Sequence, residues 1–158
     1  MQASVRPGVR VHVMKEATRS PVRAVNHALG MARGELVGVC IDGARMASRG
    51  LLRSALEASR LASKPVIGSL SFHLGPDTQP RSVKQGYDQA VEDELLRRIG
   101  WEEDGYRLFR IAVLAEWSRH GWFSLPHETN ALFLTRAHWK ELGGYDERFT
   151  SPGGGLAN

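Results

Sequence analysis

Apolar positions change period several times along the chain. Val9 to Met14 (VRVHVM) puts Val9, Val11 and Val13 on one side, the period-two pattern of a short strand. Ser20 as N-cap and Pro21 as first helical residue then open a helix. Val22, Val25, Leu29 and Ala32 recur at helical spacing before Gly34 ends the run. Glu35 to Ile41 (ELVGVCI) is almost continuously apolar, short for a helix and closed by Asp42 and Gly43, which predicts a buried, central, parallel strand. Leu51, Ala55, Ala58 and Ala62, with Leu52 and Leu56 beside them, predict an amphipathic helix up to Pro65, and Val66 to Phe72 predicts another strand.

His73 to Ser82 is rich in Gly, Pro, Asp and Thr and reads as a loop. Tyr87, Val91, Leu95 and Ile99 form a helical stripe, with Asp93 and Glu94 four residues before Arg97 and Arg98. Leu108 to Trp117 fits strand or helix, with strand preferred at its start. Ala131 to Leu134 predicts a short strand and Arg136 to Leu142 a short helix stopped by Gly143 and Gly144, ahead of a glycine-rich tail from Pro152 to Gly155. Strands alternating with helices argue for an α/β fold whose crossovers are right-handed.

Composition narrows this only a little. At 158 residues and 42% hydrophobic content the chain suits one ordinary domain. A net charge of +4 fits an anionic ligand such as a nucleotide diphosphate and equally an ordinary basic surface. The basic residues are scattered, so nucleic acid is not an expected partner. A single cysteine, Cys40, excludes an internal disulfide framework; inside an apolar run it reads as a small core residue. No stretch reaches the roughly 18 apolar residues of a membrane span. A cytoplasmic location is expected, with peripheral membrane attachment left open.

Asp42 is the first residue with chemical promise. In open α/β sheets ligands bind beyond the carboxyl ends of strands, so an acid directly after a buried strand sits at the favoured crevice. There it can bind a metal that bridges a diphosphate, or accept hydrogen bonds from a ribose or base; it can also simply cap the next turn. Gly43 leaves room for a ligand to approach, and Arg45 can neutralise diphosphate charge or lie solvated on the surface.

The segment Asn26 to Asp42 (NHALGMARGELVGVCID) resembles the donor half of inverting family 2 glycosyltransferases. In that pattern an Asn opens a helix, Ala-x-Gly-Glu (here Ala32, Gly34, Glu35) closes it, and an apolar strand leads to an acidic metal motif. The chain departs from the pattern at Val25 and Ala28, where Arg and Gly are usual, and at Ala44, where the second acid of Asp-x-Asp is replaced. The resemblance implies a divalent metal, Mn or Mg, with Asp42 as its single side-chain anchor.

The segment Asn130 to Phe149 (NALFLTRAHWKELGGYDERF) is similar to the same family's acceptor-side signature, with Tyr145 in place of the usual Phe in Gly-Gly-Phe-Asp-Glu. Gly143 and Gly144 give a helix stop and tight reversal, Tyr145 an aromatic anchor, and Asp146 and Glu147 two carboxylates. A carboxylate beside an acceptor hydroxyl can serve as general base, and Asp146 can alternatively cap the loop. The family more often carries its base in a later acidic motif, where this chain has Pro152 to Gly155.

Between these segments Trp101, Trp117, Trp122 and Phe123 offer rings that either stack on sugars or pack in a core. The six histidines show no metal-ligand spacing, and His127 with Glu128 is the pair nearest the second segment.

The resemblance thus implies a GT-A type fold, a three-layer sandwich around a mostly parallel, Rossmann-like sheet. It covers about Val9 to Gly155 of one partial domain, residues 1 to 158, with a donor-binding half from 9 to 72 and an acceptor-side half from 101 to 155. The family's first strand and last helices are expected to lie outside it. An inverting transfer is expected from a nucleotide-diphospho-sugar to a glycan or small-molecule acceptor, as in polysaccharide biosynthesis. Asn26, Asp42, Gly43 and Arg45 would serve the donor, Trp122, His127, Glu128 and Asn130 the acceptor, and Asp146 and Glu147 catalysis. Two other readings stay open: a relative that binds nucleotide sugar or glycan without turnover, and a structural or partner-binding α/β domain. A sheet without its first strand also leaves an edge through which a homodimer could form.

Overall fold

The structure is a computed structural model that describes residues 8–16, 18–40, 47–124 and 131–151. Its centre is a three-stranded sheet in the order β1 (Leu36–Cys40), β5 (Ala131–Thr135), β2 (Ile67–Gly68). Both neighbours run antiparallel to β5, in registers that pair Leu36 with Thr135, Cys40 with Ala131 and Ile67 with Phe133. A second, two-stranded antiparallel sheet joins β3 (Phe72–Leu74) to β4 (Ala112–Leu114).

Side-chain alternation along β5 organises two small cores. On one face Leu134 packs with Val22 of helix α1 (Val22–Met31), Trp139 of helix α5 (Arg136–Leu142) and Tyr145, bordered by Val25, Leu29, Val37, Val39 and Leu132. On the other face Ala131 and Phe133 meet Ala55 of helix α2 (Leu51–Ala58), with Leu36, Leu51 and Ile67 around them. Helices therefore cover both faces of the central sheet.

Local signals place most of the helices well, although the helix expected from Leu51 up to Pro65 ends at Ala58. Helix α5 has the predicted bounds; Thr135 Oγ1 caps it by accepting the His138 N–H at 3.1 Å, and Gly143 ends it at φ +79°. Helix α4 (Gln89–Ile99) begins after Asp88, whose carboxylate accepts the Val91 N–H at 3.0 Å, and ends at Gly100 in the left-handed region. The expected four-residue pairs, Asp93 with Arg97 and Glu94 with Arg98, give way to a three-residue pair between Glu94 and Arg97. Helix α1 begins one residue later than predicted: Pro21 takes the cap position, and buried Ser20 accepts the Val22 N–H at 3.4 Å.

Strand identities depended on partners and needed more correction. Val9 to Met14 is not a strand: it joins no ladder among the described residues, and Val9, Val11 and Val13 are exposed. Glu35 to Ile41 does contain a strand, β1, but among the described residues it pairs only with β5, in the antiparallel sense, and so lies at one side of the described sheet instead of its centre. That position leaves Cys40 exposed rather than in the core.

All described strand pairings are antiparallel; the mostly parallel sheet that the resemblance implies is not shown among the described residues. Strands β1 and β2 do run parallel to each other, but β5 has inserted between them. Val66 to Phe72 is divided: its start pairs with β5, while Phe72 begins β3 in the other sheet. The predicted loop from His73 to Ser82 contains the start of helix α3 (Gln79–Lys84), with Pro80 tolerated in its first turn. Leu108 to Trp117 is strand only at β4, set between 3-10 turns at Gly105–Arg110 and Glu116–Ser118.

Candidate functional site

Asn26 lies on α1, and its whole amide is directed at the turn that follows α5. Oδ1 accepts the Tyr145 N–H at 2.9 Å, while Nδ2 donates to the Tyr145 carbonyl at 2.8 Å and to Glu147 Oε1 at 3.0 Å. The two segments singled out in the sequence, 119 residues apart at this contact, are thereby joined. Arg23, one helical turn before Asn26, stands 3.8 Å from the other Glu147 oxygen.

The turn is shaped to accept this amide. Gly143 and Gly144 both adopt positive φ, and a Cβ on Gly144 would stand 2.5 Å from Asn26 Oδ1. Tyr145 follows as the buried anchor the sequence predicts, its ring centroid 5.5 Å from that of Trp139. The Trp139 indole donates to the Val37 carbonyl at 3.1 Å, and the Arg136 N–H to the Glu35 carbonyl at 2.8 Å, so α5 is fastened to β1 as well.

The two acids of the turn differ. Asp146 is held by Arg148, whose backbone N–H and guanidinium both donate to it. The side-chain bonds and the backbone bond lower its pKa to about 2. At that value it is a poor proton acceptor near neutral pH, and its clear role is to order the turn. Glu147 is half exposed and borders an open cleft of about 330 Å³ together with Asn26, Val37, Arg136, Lys140 and Gly144. Arg136 and Lys140, four residues apart, make this cleft cationic, a feature the helical spacing of the sequence contained but that was not singled out.

A second cleft, about 580 Å³, opens between the end of α2 with residues 65–70 and the 3-10 turns around Trp117 and Trp122. Trp122 is 76% exposed and Trp117 59% exposed. Trp101 is half-buried and does not line it. Lys64 borders the cleft and is paired with Glu141 of α5, whose pKa is lowered by that ammonium.

Asp42, Gly43, Ala44 and Arg45, His127, Glu128 and Asn130, and the Pro152 to Gly155 tail lie outside the described residues. The segments carrying the first two groups attach at Cys40 and Ala131, which are register partners at one end of the central sheet. Among the described residues no group of three or more His, Cys, Asp or Glu side chains is placed to hold a metal ion, and no helix is long and apolar enough to cross a membrane. Comparison with protein-family models, curated proteins and solved structures gives no match to this chain.

Proposed function

We propose that the chain is the nucleotide-sugar-binding domain of an inverting glycosyltransferase, with a GT-A type fold. The observation that carries this reading is the bridge from Asn26 to Tyr145 and Glu147: two segments that separately resemble donor and acceptor signatures form one hydrogen-bonded unit. In this reading Asn26 is a positioning residue. Its amide is spent on the turn and holds Glu147 at the mouth of the smaller cleft.

The register of β1 on β5 supports the same reading. The donor candidates Asp42, Gly43 and Arg45 follow Cys40, the acceptor candidates His127, Glu128 and Asn130 precede Ala131, and Cys40 and Ala131 are partners. A donor diphosphate would be met there by Asp42, through a Mn or Mg ion, and by Arg45. An acceptor hydroxyl would lose its proton to a carboxylate as its oxygen attacks the anomeric carbon in line with the departing diphosphate. Arg148 already holds Asp146, so the carboxylate assigned to this role is Glu147, at the mouth of the smaller cleft.

Calorimetric titration of the full chain with UDP- and GDP-sugars, with and without manganese, tests the proposal. Donor binding that requires the metal and is lost in Asp42→Asn is the expected result. Metal-free binding without turnover would make the protein a nucleotide-sugar-binding relative, as Ala44 in the place of a second acid suggests. No binding by folded protein sinks both.

A further inference from the structure

The larger cleft is the feature that the donor reading leaves unused. Its aliphatic wall comes from Leu61, Ala62, Val66 and Ile67, and facing it are Trp117 and Trp122. Two indoles more than half exposed share this one cleft, where each can present its ring to a ligand.

We infer that this cleft is a saccharide-binding site, in which pyranose rings lie against Trp117 and Trp122. A pyranose presents one face of C–H bonds with slight positive charge, which suits the negative face of an indole, and a rim of hydroxyls that need donors and acceptors. The cleft offers both. Its walls are aliphatic and aromatic, and its border carries the Lys64 ammonium, paired with Glu141, and the hydroxyls of Ser69 and Ser124. A volume near 580 Å³ falls in the range of small-molecule sites and accommodates a short oligosaccharide.

The competing occupant is a lipid surface. Membrane-binding aromatics project from a surface whose flanking cations are free to meet anionic headgroups. Here the indoles line a concavity, and Lys64, the cation that borders it among the described residues, is paired with Glu141. As an acceptor site the cleft rests on the glycosyltransferase reading; as a saccharide site it stands on its own geometry.

The test is a titration of the full chain, without nucleotide, against cello-, malto- and chito-oligosaccharides and oligogalacturonate, followed by tryptophan fluorescence and calorimetry. At least one series is expected to bind. Trp122→Ala and Trp117→Ala should each weaken binding roughly threefold to tenfold, the range of one aromatic contact, and the double variant should abolish it. Both side chains are largely exposed, so the variants should keep the wild-type melting temperature and circular dichroism. Absence of binding across all four series by folded protein overturns the inference, as does binding that the tryptophan variants leave unchanged. A fluorescence shift produced by phosphatidylglycerol vesicles and by none of the saccharides assigns the cleft to a lipid surface instead. Because nucleotide is absent, failure here leaves the donor proposal standing, and failure of donor binding leaves this one standing.

Discussion

Asn26 and Tyr145 exchange two hydrogen bonds, Tyr145 N–H to Asn26 Oδ1 at 2.9 Å and Asn26 Nδ2 to the Tyr145 carbonyl at 2.8 Å. The side-chain amide thus mimics a strand neighbour for one residue of the turn. Asn26→Ala would remove both bonds and the one to Glu147, at a cost of about 1–3 kcal/mol read as a lower urea midpoint. Asn26→Asp keeps the acceptor but turns the donor into a carboxylate oxygen facing Glu147, so it should destabilise at least as much at pH 7 and recover partly as the pH falls. Equal stability of wild type and both variants would show that the bridge does not hold the turn.

The two glycines of the turn separate backbone strain from steric fit. Gly143 and Gly144 share a φ near +80°, but a Cβ on Gly143 meets nothing within 4 Å, while one on Gly144 meets Asn26 Oδ1 at 2.5 Å. Gly143→Ala should cost about 1–2 kcal/mol, the strain of a left-handed alanine. Gly144→Ala should cost more, because it displaces the Asn26 amide as well. Thermal melts of the two variants check the order; a Gly143 variant that is the less stable of the two would contradict this account.

Gly38 lies opposite Phe133 across the β1–β5 ladder, and a Cβ there would stand 2.4 Å from the phenyl ring. Gly38→Ala is expected to destabilise by about 1–3 kcal/mol through overpacking. Phe133→Leu combined with Gly38→Ala should cost less than the sum of the single changes, since the smaller side chain relieves the clash. Additive costs in a double-mutant cycle would place the strain elsewhere.

The Asp146 carboxyl, lowered from 3.8 to about 2 by Arg148, couples folding to acid pH. A depressed folded-state pKa gives stability that is present above the unfolded pKa and lost as pH falls through the folded one. The contribution should therefore disappear between about pH 4 and pH 2. Arg148→Ala should return the carboxyl toward its ordinary value, visible in a carboxyl NMR titration, and flatten the pH dependence of stability in that window. An unchanged Asp146 titration in Arg148→Ala would remove Arg148 as the cause.

What the sequence determined alone is what short-range physics decides. Thr135, the spacing of Arg136 to Leu142 and Gly143 specify α5 from cap to stop, because a helix satisfies its hydrogen bonds within itself and its ends need only local partners. The stripe of Val91, Leu95 and Ile99 marks α4 in the same way, and the structure adds its ends at Asp88 and Gly100. The two segments around Asn26 and Tyr145 were singled out by their resemblance to one family's signatures, and the structure joins them through hydrogen bonds. Strands were a different matter, because a strand is completed by another strand. Val9, Val11 and Val13 have the right alternation and no ladder, and Glu35 to Ile41 looks central until β5, about ninety residues later, lies along it in the antiparallel sense. The same pairing decides that Cys40 is exposed and that Cys40 and Ala131 meet at one end of the sheet. Only the tertiary structure could direct the Asn26 amide into the turn after α5, since its two partners, Tyr145 and Glu147, lie about 120 residues away in sequence and become neighbours only when α1 and α5 pack on one face of β5.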